Sequence, residues 1–429
     1  MVTTLLPFIF SLVISLITIP AIITIAYRKR LVDDPRSETR KVHRYSVPNL
    51  GGVAVFSTFA LISCLFVNDQ MLRNANFIFA SGIIIFTIGL KDDLIALDPY
   101  KKFAAQFLTA FIVVYFADIR VTNLYGVMGI YEIGNILSYI LTCFVFVFII
   151  NAFNLIDGIN GLLGSITSLI CITYGTLFYL MNDKGLSVLS FSMAGAVAGF
   201  LFYNLRRRAR IFMGDAGAYS IGFIVAILSI RFIELNNIGR LPKIDPFTHA
   251  APGIVMALLI LPTFDTLRVF ALRILRGKSP FMADRNHLHH RLLDLGLTHL
   301  QATFTMVALN AAIIALAFTF ENKVQPAELA VIIILAILFC NMCLWVYEVR
   351  NADAISALQR QRVVVNETAD DAVKHPPLHS QLANTPIAVD SSLVEINVLA
   401  VKDNQSTQEE EAAKRFTKEM LDNLERSKN

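Results

Sequence analysis

Charge is scarce in this sequence. Only 16% of its 429 residues are charged, 55% are hydrophobic, and the mean hydropathy is +0.59. That balance excludes an ordinary soluble domain. Cysteine supplies no framework either. Cys64, Cys143, Cys171, Cys340 and Cys343 all fall in apolar runs, where a thiol serves as a small apolar side chain. Cys340 and Cys343 have a redox-like spacing, but no second pair follows, so neither a disulfide scaffold nor a metal knuckle is implied. Internal repeats are lacking, which argues against the two-halved plan common in secondary transporters. No basic residue precedes the first apolar run, Leu5 to Tyr27, which is too long for a secretory leader and is expected to stay as a helix.

What the chain has in quantity is long apolar runs. Eleven are counted, at about 5–27, 50–67, 77–90, 103–117, 135–153, 161–181, 187–205, 214–235, 252–271, 299–320 and 328–347. The predicted fold is therefore all-α: a polytopic membrane bundle of about eleven helices over residues 1–347. Residues 348–429 form a polar tail, expected to be solvated and partly disordered. A stripe of Phe416, Met420 and Leu424 there could instead make a helix that docks on the membrane or a partner.

Alternate loops divide unevenly in charge. Loops 28–49, 91–102, 154–160, 206–213 and 268–298 carry 20 Lys and Arg, and the opposite set carries 7. The positive-inside rule puts the first set, and the tail, in the cytoplasm and the N-terminus outside. The outer loops are bland; the one at 118–134, with Gly126, Gly129 and Gly134, is expected to form a small hairpin. Every segment with chemical potential lies in the basic, cytoplasmic set, so a substrate arriving from the cytoplasm is expected.

The central segment is Asn151–Gly161. Asn and Asp are poor lipid contacts, and such groups at bilayer depth usually face a site or a water-filled cavity. If the turn is helical, Asn154, Asp157 and Asn160 share a face. Asp92 and Asp93 end the third run; neighbours on a helix point about 100° apart, so separate roles are expected. Asp215 opens the eighth run in Gly214–Gly217, where a bare helix cap is the alternative. Four carboxylates on one face need a cation, and oxygen ligands without thiolates suit Mg²⁺ or Mn²⁺.

Asp284–Arg291 holds His287, His289 and His290. Only Asp284 could complete a zinc set, so the histidines, with Arg285 and Arg291, fit phosphate oxygens better. Lys41–Gly52 ends a basic loop, and its glycine pair, Gly51 and Gly52, permits close backbone approach. Carboxylates for a divalent metal beside cationic donors make the kit for phosphoryl transfer. Its place at the membrane rim points to a lipid phosphate as one substrate.

These segments, in this order, resemble the polyprenyl-phosphate N-acetylhexosamine-1-phosphate transferases. The motifs are Lys41–Gly52, Asp92–Asp93, Asn151–Gly161, Phe212–Gly217 and the histidines at 287–290, and the likeness spans about residues 1–347. The resemblance implies transfer of a sugar 1-phosphate from a UDP-sugar to undecaprenyl phosphate in a bacterial inner membrane, with release of UMP. The Gly277–Gly296 segment and eleven spans look like the branch using UDP-GlcNAc that starts envelope polysaccharides such as O-antigen. The peptidoglycan branch, which uses UDP-N-acetylmuramoyl-pentapeptide, is the alternative, and a transporter or flippase without transferase activity is the rival from another class.

By the same resemblance, Asp215 and Asp157 would hold Mg²⁺, and Asp92 or Asp93 would deprotonate or orient the lipid phosphate or act covalently. Asn154, Asp157 and Asn160 would contact nucleotide, Phe212 would stack on uracil, and Lys41 and His43 would lie near the nucleotide. Arg285, His287, His289 and His290 would bind phosphate or sugar. The implied partners are a UDP-sugar, the polyprenyl phosphate and membrane lipid, with no nucleic acid; a homodimer is compatible. One departure stands out: Asn160 occupies a position where the family usually has Asp.

Overall fold

The computed structural model of the chain describes residues 2–32, 46–68, 71–127, 129–206, 208–237, 251–279, 286–321 and 323–352. Among them are twelve helices and one two-stranded hairpin. The first helices are α1 (Val2–Arg28), α2 (Gly51–Phe66), α3 (Ala75–Leu94) and α4 (Pro99–Phe116). After the hairpin of β1 (Asn123–Val127) and β2 (Ile130–Glu132) come α5 (Asn135–Ile156), α6 (Leu162–Leu180), α7 (Lys184–Asn204) and α8 (Gly214–Asn237). The last are α9 (Ala251–Leu275), the short α10 (Leu288–Asp294), α11 (His299–Phe320) and α12 (Pro326–Arg350).

Each of the eleven predicted spans is a helix. Eight of them are long and apolar enough to cross a membrane, while α2, α3 and α4 fall outside that group. Helices suit an apolar medium because they satisfy their own backbone groups. The same need explains the caps. Asp98 accepts from Tyr100 N at the start of α4, Asp183 from Leu186 N at α7, α11 opens with a reciprocal capping box, and at α12 Glu328 Oε2 accepts from Gln325 N. The last helix runs three residues past the predicted boundary at 347, and the tail stripe at 416–424 lies outside the described residues.

The bundle is built around α8. Of its apolar stretch 89% is buried, against 17% for α1 and for α12. It packs on α2, α3, α5, α6 and α9, while α7 is clasped by α1, α2 and α6. The buried core runs continuously through Phe146, Phe153, Phe178, Phe223 and Phe232. Polar atoms inside this core stitch helices together: Ser15 Oγ donates to Ala196 O at 2.8 Å and Tyr174 Oη to Ser229 Oγ at 2.9 Å.

At its first turn α8 crosses α2 with no room for side chains. A Cβ on Gly52 would sit 2.1 Å from Gly217 N, so the close approach anticipated for the glycine pair is real. Two backbone bonds fix the crossing, Gly51 N to Phe212 O (2.8 Å) and Gly52 N to Met213 O (2.7 Å).

The other end of α8, about 36 Å away along the helix, holds the hairpin. Glu234 accepts from both Thr122 N and Thr122 Oγ1 at 2.8 Å, and Tyr125 Oη donates to Ile233 O at 2.6 Å. The hairpin expected within 118–134 is thus present and tied to the far end of the central helix.

Candidate active site

The ends of α3, α5 and α7 and the start of α8 meet at one end of the bundle. Asp93, in the last turn of α3, turns both carboxylate oxygens onto α8. Oδ1 accepts from Asp215 N (2.8 Å) and Asn49 Nδ2 (3.0 Å), and Oδ2 accepts from Ala216 N (2.9 Å). These amides are among the four that a helix start leaves unpaired. Asp93 therefore caps a helix to which it does not belong, and Asp215, at the first turn of α8, is not needed as that helix's cap.

Asp92 points elsewhere, as the 100° spacing predicts. It is buried, accepts from Leu97 N (2.9 Å) and Tyr219 Oη (3.3 Å), and forms an ion pair with Lys102 of α4. Its carboxyl also comes within hydrogen-bonding reach of that of Asp215. Asn154, in the last turn of α5, donates through Nδ2 to Asp215 Oδ1 at 2.7 Å.

The turn carrying Asp157 is not helical. The chain leaves the helix at Ile156, Asp157 becomes the residue after it, and residues 157–161 form a turn that ends at Gly161 with φ +79°. Asn154, Asp157 and Asn160 therefore do not share one helical face. Burial, and then the negative charge of Asp215, push the Asp157 carboxyl up to about 7. Asp93 also lies within electrostatic range of Asp157. The four predicted carboxylates do converge.

The turn is held from two sides. Asn204 Oδ1, at the end of α7, accepts from Gly161 N at 2.5 Å, and its Nδ2 donates to Ile211 O at 2.8 Å. Thr303 of α11 donates to Asn160 O at 2.8 Å. Among the described residues the Asn160 side chain makes no hydrogen bond. Phe212 is fixed through its backbone, with N donating to Pro48 O at 2.8 Å, and its ring is half-buried beside the α8 start.

The histidine segment reaches this turn. His289, on α10, is 1% exposed and lies against Gly158 so closely that a Cβ there would fall 2.1 Å from Nε2. Among the described residues neither of its ring nitrogens has a hydrogen-bond partner. Burial, then the neighbouring His290, pull its pKa down to about 3, so it is a neutral imidazole at ordinary pH. His287 and His289 lie nearly parallel with centroids 5.6 Å apart, and His290 is 4.3 Å from His289. Arg291, expected beside a phosphate, is instead committed to Glu348 of α12 at 2.6 and 2.9 Å and to Asn341 at 2.8 Å. Lys41, His43 and Arg285 lie outside the described residues.

Several partners escaped the sequence reading: Asn49, Lys102, Asn204, Tyr219 and Asp265. For Asp265 a signal existed, because it interrupts an apolar run, where a carboxylate needs a partner. Tyr219 carries no such mark, and its bond to Asp92 depends on helix packing alone.

Among the described residues no three His, Cys, Asp or Glu side chains already stand as a ligand set. Mg²⁺ does not demand one, since it binds through one or two carboxylates plus substrate phosphates and waters. Asp157 and Asp215, neither in an ion pair among the described residues, fit that need.

The sequence profile described as Glycosyl transferase family 4 matches residues 76–233, from α3 through most of α8. The chain is 28% identical over 332 residues to the undecaprenyl-phosphate alpha-N-acetylglucosaminyl 1-phosphate transferase of Escherichia coli strain K12, covering 75% of this chain and 85% of that protein. The protein of the same description from Salmonella typhi is 28% identical over 328 residues, with the same two coverages. The decaprenyl-phosphate N-acetylglucosaminephosphotransferase of Mycolicibacterium smegmatis is 32% identical over 336 residues, covering 73% of this chain and 80% of that protein.

Proposed function

The chain belongs to the polyprenyl-phosphate N-acetylhexosamine-1-phosphate transferases of glycosyl transferase family 4, and on that premise we propose how it acts. It is an integral membrane enzyme that moves N-acetylglucosamine 1-phosphate from its UDP-sugar to a polyprenyl phosphate and releases UMP. The observation that carries this reading is the meeting of Asp92, Asp93, Asp157 and Asp215, with Asn154, at one end of a bundle of membrane-length helices. The excess of basic residues in the loops of that set supports a site on the cytoplasmic side of a bacterial inner membrane.

The reaction is a displacement at phosphorus. An oxygen of the lipid phosphate bonds to the β-phosphorus of the UDP-sugar, the bond to the bridging oxygen breaks, and that oxygen leaves with UMP. Asp92 is the group we assign to orient the lipid phosphate and accept any proton it still carries. Its neighbour Lys102, with a side chain 27% exposed, adds a positive charge for the incoming phosphate. Asp93, saturated by three N–H donors, holds the start of α8 and so places Asp215. Asp215 and Asp157 would hold Mg²⁺, with Asn154 orienting Asp215. A bound divalent cation draws charge from the pyrophosphate and eases departure of UMP. Phe212 offers its half-buried ring to the uracil, and His289, being neutral, contributes a hydrogen bond and no charge to the donor sugar phosphate.

The test is UMP release by membranes containing the full-length protein, supplied with polyprenyl phosphate, Mg²⁺ and in turn UDP-GlcNAc, UDP-GalNAc or UDP-N-acetylmuramoyl-pentapeptide. Release is expected with UDP-GlcNAc, only when lipid phosphate and metal are both present. No release with any of the three donors overturns the reading; release with only one of the other two corrects the sugar.

A further inference from the structure

Outside the carboxylate cluster, one buried acid has no part in the chemistry above. Asp265 sits in the middle of α9, only 2% exposed. Its Oδ2 is 2.9 Å from His287 Nδ1. Its Oδ1 accepts from Leu288 N at 3.0 Å and from Arg268 Nη2 at 2.8 Å, and the same Arg268 nitrogen reaches on to Asn286 O. A carboxylate in an apolar helix is expensive unless compensated. Here two of the three partners, His287 and the Leu288 amide, come from the entry to α10, and the third, Arg268, lies one turn further along α9.

That entry lacks its usual capping. His287 is the residue before α10, and its own side chain makes no cap bond. The Leu288 amide, which opens the helix, is satisfied by Asp265 from α9 instead. The arrangement repeats what Asp93 does for α8. It has a further consequence for the imidazole. A carboxylate opposite Nδ1 favours the proton on that nitrogen and leaves Nε2 as the unprotonated edge of the neutral ring. Two residues on, His289 rests against Gly158, in the turn that carries Asp157.

We propose that Asp265 is a positioning residue of the transferase: it fixes the His287 ring and the first turn of α10, and thereby seats His289 on the Asp157–Gly161 turn. The assignment rests on the function proposed above. The residue does not touch the reacting groups; it acts through His287 and α10. Arg268 balances its charge and ties the preceding Asn286 carbonyl into the same joint.

The experiment is a double-mutant cycle in the full-length protein, with kcat and KM for UDP-GlcNAc measured alongside thermal unfolding in detergent. The variants are Asp265→Asn, His287→Gln and the two together. Asn keeps the shape and can still accept from Leu288 N, but its amide then faces Nδ1. Asp265→Asn is expected to lower kcat by about tenfold or more, with less effect on KM and a melting temperature close to that of the parent. The double variant is expected to be no worse than the poorer single variant, because both act through one contact.

Unchanged kcat in Asp265→Asn, or losses that multiply in the double variant, would overturn the assignment. So would a loss of activity wholly matched by loss of folded protein. If Asp265→Asn fails to fold, the same cycle is run with Asp265→Glu, which keeps the charge and displaces it; there a kcat equal to the parent's or multiplying losses overturn the proposal and non-multiplying losses support it. Absence of UMP release from the parent protein would instead sink the function itself.

Discussion

The Asp93 carboxylate lies 2.8 Å from the backbone amide of Asp215, so an acid of α3 is the cap of the helix that carries another acid. The clustered carboxylates thus divide the labour, Asp93 holding the helix start and Asp215 facing Asn154. Two substitutions separate the roles of Asp93. Asp93→Ala leaves the amides of Asp215 and Ala216 without acceptors, at about 1–3 kcal/mol for each buried group. A clear fall in melting temperature in detergent is expected, together with loss of UMP release. Asp93→Asn still offers one oxygen to the helix start, so it is expected to melt within a few degrees of the parent, while its new NH2 group faces one of the two amides, shifts Asp215 and lowers turnover by up to about 100-fold. Equal melting temperatures for the alanine variant and the parent would refute the capping role.

Asp215 is expected to behave differently. Its carboxylate is bonded to Asn154 and caps nothing. Asp215→Asn is expected to leave thermal stability in the absence of metal unchanged or slightly raised, because a crowded negative charge is removed. UMP release is expected to fall by about 100-fold or more. The amount of Mg²⁺ needed for half-maximal rate in Asn154→Ala, which only disorients Asp215, is expected to rise about tenfold. A metal titration of the two variants beside the parent checks both statements.

The bundle was legible because a bilayer imposes a single strong rule. Runs such as 135–153 and 214–235 must be helices, and the structure returns them as α5 and α8 with ends shifted by no more than three residues. The site face was legible through charge: Asp92, Asp93, Asp157 and Asp215 all fall in loops or helix ends of the basic set. The partners were not legible, because they depend on which helices cross. Asn204 reaches both Gly161 and Ile211 only because α7 ends beside the turn. The condition under which Asn160 would share a helical face, a helical turn, is not met: the chain passes Gly161 at φ +79°, and His289 fills the space that a side chain at 158 would need. Arg291 shows the same limit in charge, since its distant acceptor Glu348 lies on another helix.

Asp157 makes the protein without metal sensitive to alkali. Its folded-state pKa of about 7 lies above the ordinary carboxylate value of 3.8. Between those values the folded protein holds a proton that the unfolded chain has given up, so this contribution to stability is full at low pH and is lost as pH rises through 7. In chelator the melting temperature is therefore expected to fall between pH 6 and pH 8, and Mg²⁺ is expected to restore it. Asp157→Asn should weaken that dependence. A parent protein whose melting temperature rises over this range in chelator, with Asp157→Asn behaving the same way, would exclude Asp157 as the cause.

His289 and Gly158 supply the last expectation. The ring is buried and its pKa is drawn down to about 3, below the ordinary 6.5. Its contribution to stability is present above 6.5 and is lost as pH falls toward 3, when the unfolded chain takes up a proton that the folded ring resists. Gly158→Ala puts a methyl group 2.1 Å from Nε2, so the ring must leave its seat. A loss of about 1–3 kcal/mol is expected from such overpacking, along with most of the activity. Adding His289→Ala to Gly158→Ala removes the clash and is expected to recover stability without recovering turnover. Recovery of both would mean that the imidazole only fills space; recovery of neither would mean that Gly158 is needed for the turn and not for the ring.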